Sequence, residues 1–358
     1  MGLAGVAGLA LVSTLCLSGC STVGYYWQSV AGHMKIMGSA RPVNEWVQDA
    51  ETPERVRTRL ELSQRIRAYA SQELKLPDNP SYRRYANLHR NAAVYNVTAA
   101  PAYSLELKTW CFPVTGCVGY RGYYDEARAR AEAKELAAQG YETNVYPVTA
   151  YSTLGYMNWL GGDPLLNTFI LYPEGELARL IFHELAHQVL YVKNDTTFNE
   201  SFATTVERLG GQKWLQAHAD EKARADYAAY DGRRRMFREL SRATRERLKA
   251  VYETPGIGFE AKEEGKRKVM EQFRAEYEQM KAGSGIDPAA WRGYDRWVRE
   301  ANNAFFGAQA AYDELVPGFE ALFHSVGDDW QRFYAAARQL SELPKEERHR
   351  RLKEAPRG

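Results

Sequence analysis

The spacing of apolar and polar positions divides the chain into segments of different period. Residues 2–19 carry no charge, and Leu3 to Leu17 form an apolar run too short and too rich in small residues for a membrane span. Residues 44–91 place Leu60, Ile66, Leu74 and Leu88 on otherwise charged segments, which predicts helix. From Ala93 to Val118 the period shifts to two: Val94-Tyr95-Asn96-Val97 and Tyr103-Ser104-Leu105-Glu106-Leu107 read as strands. Asp125 to Gln139 is an Ala-rich helix closed by Gly140, and Glu142 to Val148 is a further strand. Strands are also expected near Tyr151 to Tyr156 and at Leu165 to Tyr172.

No Gly or Pro interrupts Leu177 to Tyr191, and Leu180, Ile181, Phe182, Leu185, Val189 and Leu190 make it apolar nearly all round. That pattern predicts a buried helix. Pro173, Glu174 and Glu176 suit its first turn, where φ is fixed and acids meet the positive end of the dipole. After the turn-prone stretch Lys193 to Thr197, a second helical pattern starts with Glu200, Ala203, Thr204 and Glu207. From Lys213 onward nearly everything reads as helix, with a break near Thr254-Pro255-Gly256-Ile257-Gly258 that suggests a helical hairpin. Another helix opens at Asp287-Pro288. The expected fold is α+β, predominantly α, with a small mixed sheet beside the Leu177–Tyr191 helix and a helical C-terminal half. Residues 44–358 form the main domain, divided into a helix/sheet part (44–212) and a helical part (213–358).

A polar set interrupts the buried helix: His183-Glu184-Leu185-Ala186-His187. Positions i and i+4 of a helix face the same way, so His183 and His187 can offer two imidazole nitrogens to one metal ion. Glu184 lies about 100° further round, beside the metal instead of on it, where it suits a general base that activates a metal-bound water. A catalytic zinc takes three protein ligands and leaves one position open. Glu200 is the expected third ligand, with Glu207 two turns on as its rival or as a surface ion pair with Arg208. One Zn²⁺ per chain is expected.

The combination of His183-Glu184-x-x-His187 with Asn199-Glu200-Ser201-Phe202-Ala203 resembles the gluzincin metallopeptidases, the group of thermolysin and the zinc aminopeptidases. A wider set of segments is similar to a bacterial family of predicted aminopeptidase lipoproteins: Tyr151-Ser152-Thr153-Leu154-Gly155, Asp163 to Thr168, Phe198 to Ala203, Asn302-Asn303-Ala304 and Tyr312-x-x-Leu315-Val316-Pro317-x-Phe319. The resemblance covers most of the mature chain. It implies zinc ligands His183, His187 and Glu200, with Glu184 as catalyst, and peptidase activity on a peptide substrate. It also implies a sheet edge that binds extended substrate, for which Thr153 to Gly155 is the candidate. Two departures stand out. The interval from His187 to Glu200 is shorter than in thermolysin-like sites. Gly155-Tyr156-Met157-Asn158 lacks the glutamate that binds the substrate amine in the large zinc aminopeptidases. A downstream tyrosine or histidine is expected to stabilise the oxyanion; Tyr312 is the choice, against core packing as its alternative role.

Composition changes the picture at three points. A formal net charge of +2 and the lack of a recognition motif remove nucleic acid as an expected partner. Leu17-Ser18-Gly19-Cys20 resembles the bacterial lipobox, so 1–19 reads as a signal peptide, Cys20 as the lipidated residue and 20–43 as a tether bearing Tyr25, Tyr26 and Trp27. Ser21 resembles lipoproteins sent to the outer membrane, facing the periplasm. Of the 4 cysteines, Cys111 and Cys117 then remain; an oxidising compartment favours a disulfide over metal binding or two free thiols. Two functions follow as expectations: a lipid-anchored zinc peptidase, in particular an aminopeptidase, or a non-catalytic zinc-stabilised envelope scaffold. Water at the fourth coordination position would mark the first, and a fourth side chain, such as Glu207, the second.

Overall fold

The computed structural model describes residues 24–113, 115–150 and 152–355, with the side chains of 310–313 outside the description. Residues 1–19, where a signal peptide was expected, Cys20 and Tyr151 therefore lie outside the described residues. Where a tether was expected, residues 24–39 form a helix, α1. Its inner face is buried at Gln28, His33, Ile36 and Met37. The Gln28 amide donates to the Gly122 carbonyl at 3.3 Å and accepts from the Tyr124 N–H at 3.2 Å, which fixes α1 to the body of the protein.

Strand β1 (Arg41–Pro42), helix α2 (Val43–Gln48) and helix α3 (Glu54–Gln72) follow. The helix expected to continue to residue 91 stops at Gln72, because Pro77 and Pro80 cannot sit inside one. The irregular segment is held instead by buried Arg67, whose guanidinium donates to the carbonyls of Pro77, Asn79 and Ser81 at 2.7, 3.1 and 3.0 Å. It leads into β2 (Arg84–Ala86).

Next come β3 (Val94–Pro101), β4 (Trp110–Phe112), β5 (Gly116–Val118), β6 (Arg121–Tyr123), helix α4 (Glu126–Ala138), β7 (Tyr141–Val148) and β8 (Leu165–Leu166). The strands form an antiparallel sheet β6-β3-β7, a mixed sheet β1-β2-β8 and the hairpin β4-β5. Strand β7 pairs with β3 from Val94↔Val148 to Pro101↔Tyr141, so its other side is a sheet edge. Three expected strands do not form as read. Tyr103 to Leu107 is irregular, since the Asn303 amide captures the carbonyls of Pro101 and Ala102 at 3.0 and 2.8 Å and ends β3 there. Thr153 to Gly155 turns instead of extending, because the buried Asp163 carboxylate accepts the Thr153 N–H at 3.1 Å and the Ser152 hydroxyl at 3.3 Å. Of Leu165 to Tyr172, only β8 is strand.

The rest is helical: α5 (Glu174–Val189), α6 (Thr196–His218), α7 (Glu221–Glu253), α8 (Phe259–Gly283), α9 (Arg292–Glu300), α10 (Asn303–Asp313), α11 (Val316–Ser325), α12 (Trp330–Ser341) and α13 (Lys345–Glu354). Helices α7 and α8 make the expected hairpin across Thr254 to Gly258. Helix α6 runs through residue 212, so the division drawn there falls inside a helix. The main core joins both halves: Leu60 and Ile66 of α3, Phe182 of α5, Phe202 of α6, Phe319 of α11 and Phe333 of α12 share one cluster.

Asp195 ties the C-terminus to the start of α6. Its buried carboxylate caps the helix by accepting the Phe198 N–H at 3.2 Å and also accepts from Arg348 at 2.7 Å and His349 at 2.9 Å. Burial alone would raise this carboxyl, but His349 and Arg348 outweigh it and hold it below the usual range. Its stabilising effect is therefore present above the unfolded carboxylate value and is lost as pH falls through the depressed folded value. Asp195→Ala strands Arg348 in the interior and is expected to cost about 3–5 kcal/mol in denaturant unfolding.

Candidate metal centre

Helix α5 starts at Glu174, so Pro173 stands at the N-cap and not in the expected first turn, which Glu174 and Glu176 occupy. Its connection to α6 spans only residues 190–195. Asn199 keeps that short link folded: its amide donates to the Val192 carbonyl at 2.8 Å and accepts the Val192 N–H at 2.7 Å. The next residue, Glu200, is thereby turned back onto α5. Close packing further along comes from Gly211, where a Cβ would lie 2.7 Å from Cγ of Arg179 on α5.

The three expected donors meet. His183 Nε2 and His187 Nε2 are 3.1 Å apart, and Glu200 Oε2 lies 3.3 Å from the first and 3.7 Å from the second. A tetrahedral ion with ligands at about 2.0–2.2 Å has donor–donor edges of about 3.3–3.6 Å. These three atoms therefore outline one face of such a tetrahedron, and among the described residues this is the group that can hold a metal ion.

Glu207 is neither a fourth donor nor a surface ion pair with Arg208, which instead pairs with Glu320 at 3.5 Å. Its Oε2 lies 3.0 Å from Nδ1 of His183, on the far side of that ring from the donor face, and its Oε1 accepts from Arg179. Arg179 is itself held by the Tyr227 hydroxyl at 3.1 Å and Asp231 at 3.4 Å, both on α7. Burial alone would raise Glu207, but Arg179 and His183 outweigh it and bring it down to about 2. Burial would likewise lower His183, yet Glu200 and Glu207 raise it well above the usual histidine value. Glu200 is held well below the carboxylate range by His187 and His183 against the effect of its burial. A proton on His183 and a cation among the three donors are alternatives, so metal affinity should rise with pH. Because an outer carboxylate orients the ring and raises its basicity, Glu207→Gln is expected to weaken metal binding about 10–100-fold in a competition titration with a chelator.

Glu184 sits where two clefts meet. One, of 490 Å³, contains His183, His187, Glu200, Tyr120 and Tyr191 along with Tyr25 and Tyr26 of α1. The other, of 760 Å³, contains His183, Glu184, Glu207, Tyr146, Trp297 and Glu176. Val148, the last residue of edge strand β7, and Ala150 line both, and Leu154 of the expected Thr153 to Gly155 segment lines the first. Burial raises the Glu184 carboxyl, partly offset by His183 and His187, and Glu200 and Asp163 push it the same way as burial. A carboxyl shifted toward neutrality is a better proton acceptor at neutral pH.

Tyr120 is the residue the sequence reading missed. It lies between β5 and β6, lines the metal-side cleft and has no hydrogen-bond partner among the described residues. Burial, then Glu200, Tyr191, Tyr146 and Glu184, raise its pKa well above 10.0, so it stays a donor. Tyr312 lies on α10; its side chain is outside the described residues.

The Cys111–Cys117 disulfide forms across the β4-β5 hairpin and docks on the α5–α6 connection. Gly116 adopts φ +74°, and a Cβ there would lie 2.9 Å from the Asn194 backbone nitrogen. The Asn194 side chain accepts the Cys117 N–H at 2.7 Å. Strand β5 of this hairpin leads through Gly119 to Tyr120.

The family model described as "Putative aminopeptidase" matches residues 24–352. No curated protein matches the chain, and no solved structure matches it.

Proposed function

The chain belongs to the family described as "Putative aminopeptidase", and from that premise we propose that it is a zinc-dependent peptidase, an aminopeptidase, held by lipid on the outer membrane and facing the periplasm. One observation carries the metal reading: three donor atoms of the type zinc prefers stand 3.1, 3.3 and 3.7 Å apart. In this reading His183, His187 and Glu200 hold the ion, and Glu207 and Arg179 behind them fix the His183 ring. When bound, zinc would supply the Lewis acidity that polarises a peptide carbonyl and acidifies a water molecule.

The chain's own residues supply the rest. Glu184 takes the proton of the attacking water and returns it to the departing amine. The Tyr120 hydroxyl donates to the carbonyl oxygen as negative charge develops there. Strand β7 offers the outer edge beyond Thr143, whose carbonyl the Asn302 amide holds at 2.9 Å, to an extended peptide backbone, which then runs from one cleft to the other past Glu184.

Exopeptidase direction rests on the family description. Gly155 to Asn158, where an amine-binding glutamate was sought, forms a turn without a carboxylate. Anchorage rests on the resemblance of Leu17-Ser18-Gly19-Cys20 to a lipobox, and the Cys111–Cys117 disulfide suits an oxidising compartment. The scaffold alternative needs a closed site with a fourth side chain. Glu207, its candidate, is occupied by His183 Nδ1 and Arg179, which favours the enzyme.

The test is metal content and hydrolysis on one preparation. One zinc per chain is expected, with chelator-sensitive cleavage of aminoacyl reporter substrates. Cleavage of internally quenched peptides alone would replace the aminopeptidase with an endopeptidase. No cleavage by a fully zinc-loaded protein would leave the scaffold.

A further inference from the structure

Helix α1 has an unusual outer face. Its exposed large side chains are Tyr26, Trp27, Val30 and Met34, at 39, 73, 59 and 49% exposure, and Ala31 and Gly38 lie exposed among them. Scattered apolar residues on a surface are ordinary, but Trp27, Val30 and Met34 fall at i, i+3 and i+7. That spacing makes one stripe about 10 Å long. The solvated faces of α7 and α8 are charged by contrast, with ion pairs such as Arg267–Glu271 and Lys222–Asp226.

Charge and position identify what covers the stripe. No carboxylate occurs from residue 24 to 44; the charged residues there are Lys35, which is exposed, and Arg41, which pairs with Asp49. An anionic headgroup layer therefore meets no repulsion on this helix. Tryptophan and tyrosine on a helix with such a face favour the boundary between headgroups and acyl chains. The stripe also begins seven residues after Cys20.

We propose that the Tyr26/Trp27/Val30/Met34 face of α1 seats the protein on an anionic lipid surface, so that the metal-side cleft opens beside the bilayer. The cleft follows from the same helix, since Tyr25, Tyr26 and Ser29 line it while Trp27, Val30 and Met34 face away. The seat rests on the anchorage proposed at Cys20 for its proximity to lipid and is independent of hydrolysis.

The full protein, purified with its lipid, is placed in vesicles of phosphatidylethanolamine and phosphatidylglycerol, with or without bromine on the acyl chains. The difference between native protein and Trp27→Phe isolates the emission of Trp27 from the other tryptophans. Acyl-chain bromine should quench it and aqueous iodide should not. Val30→Glu with Met34→Glu, both at exposed positions, should reverse that pattern while Cys20 keeps its lipid and the circular dichroism stays native. Each lost apolar contact lowers helix partitioning by about tenfold. Iodide quenching of native Trp27 without bromine quenching overturns the seat. So does shielding from both quenchers in a chain that is dimeric in detergent, because a second copy then covers the stripe. A mass showing no lipid on Cys20 overturns the anchorage alone; the quenching, repeated with vesicles added to that protein, still decides the seat.

Discussion

Glu184→Gln should reduce peptide hydrolysis by at least about 10²–10⁴ in kcat while leaving one metal ion bound per chain. The two halves of this result have separate causes. Metal retention follows because Glu184 is not among the donors His183, His187 and Glu200. Loss of rate follows because glutamine keeps the shape of the side chain at the junction of the two clefts but cannot take a proton. Burial of this carboxyl also makes stability depend on pH. The Glu184 carboxyl is raised by burial, so the folded state binds its proton more tightly than the unfolded state does. Metal-free wild-type protein therefore loses stability as pH rises from the unfolded carboxylate value through the raised folded one. The Gln variant lacks that loss and should be the more stable protein at alkaline pH. Unfolding midpoints at several pH values, set beside kcat and metal content, check all three expectations. Retained activity in metal-loaded Glu184→Gln would remove the mechanism.

The parts of this site that were legible in the sequence are those a single helix determines. The spacing of His183 and His187 is a property of helical periodicity, and Pro173 with the apolar run after it marks the helix. Glu200 was reachable because Asn199 and Asp195, which fold the connection, lie beside it in sequence. The illegible parts depend on distant partners. Glu207 stands next to Arg208 in the chain but pairs with Arg179, 28 positions earlier, and so turns to the metal ring and not to solvent. Thr153 looked like a strand until Asp163 captured its N–H. Residues 24–39 read as a tether because their outer face is as apolar as their inner one, which conceals the amphipathic pattern that announces a surface helix.

Tyr120→Phe should lower kcat about 10²–10³-fold with little change in KM and no change in metal content. The hydroxyl is needed only as the carbonyl oxygen becomes negative, so its loss falls on the transition state and not on substrate binding. Its environment suits that role: a phenol raised well above 10.0 by burial and by Glu200 remains protonated, and no described residue occupies it as a hydrogen-bond partner. Tyr146 makes the useful contrast. It lies on β7 in the other cleft, and its hydroxyl already accepts from the Asn96 amide at 3.4 Å, so Tyr146→Phe should leave kcat within a few-fold of wild type. Tyr312, chosen from sequence for its place before Leu315-Val316-Pro317, supplies the third arm of the comparison. A large loss of kcat in Tyr312→Phe with an unchanged Tyr120→Phe would move the oxyanion donor from the disulfide-hairpin side to α10. The opposite result would mean that the Cys111–Cys117 hairpin, docked on the α5–α6 connection, helps place a catalytic group. Reducing the disulfide should then lower kcat in the same direction as Tyr120→Phe, and by less, since the hydroxyl would be displaced and not removed.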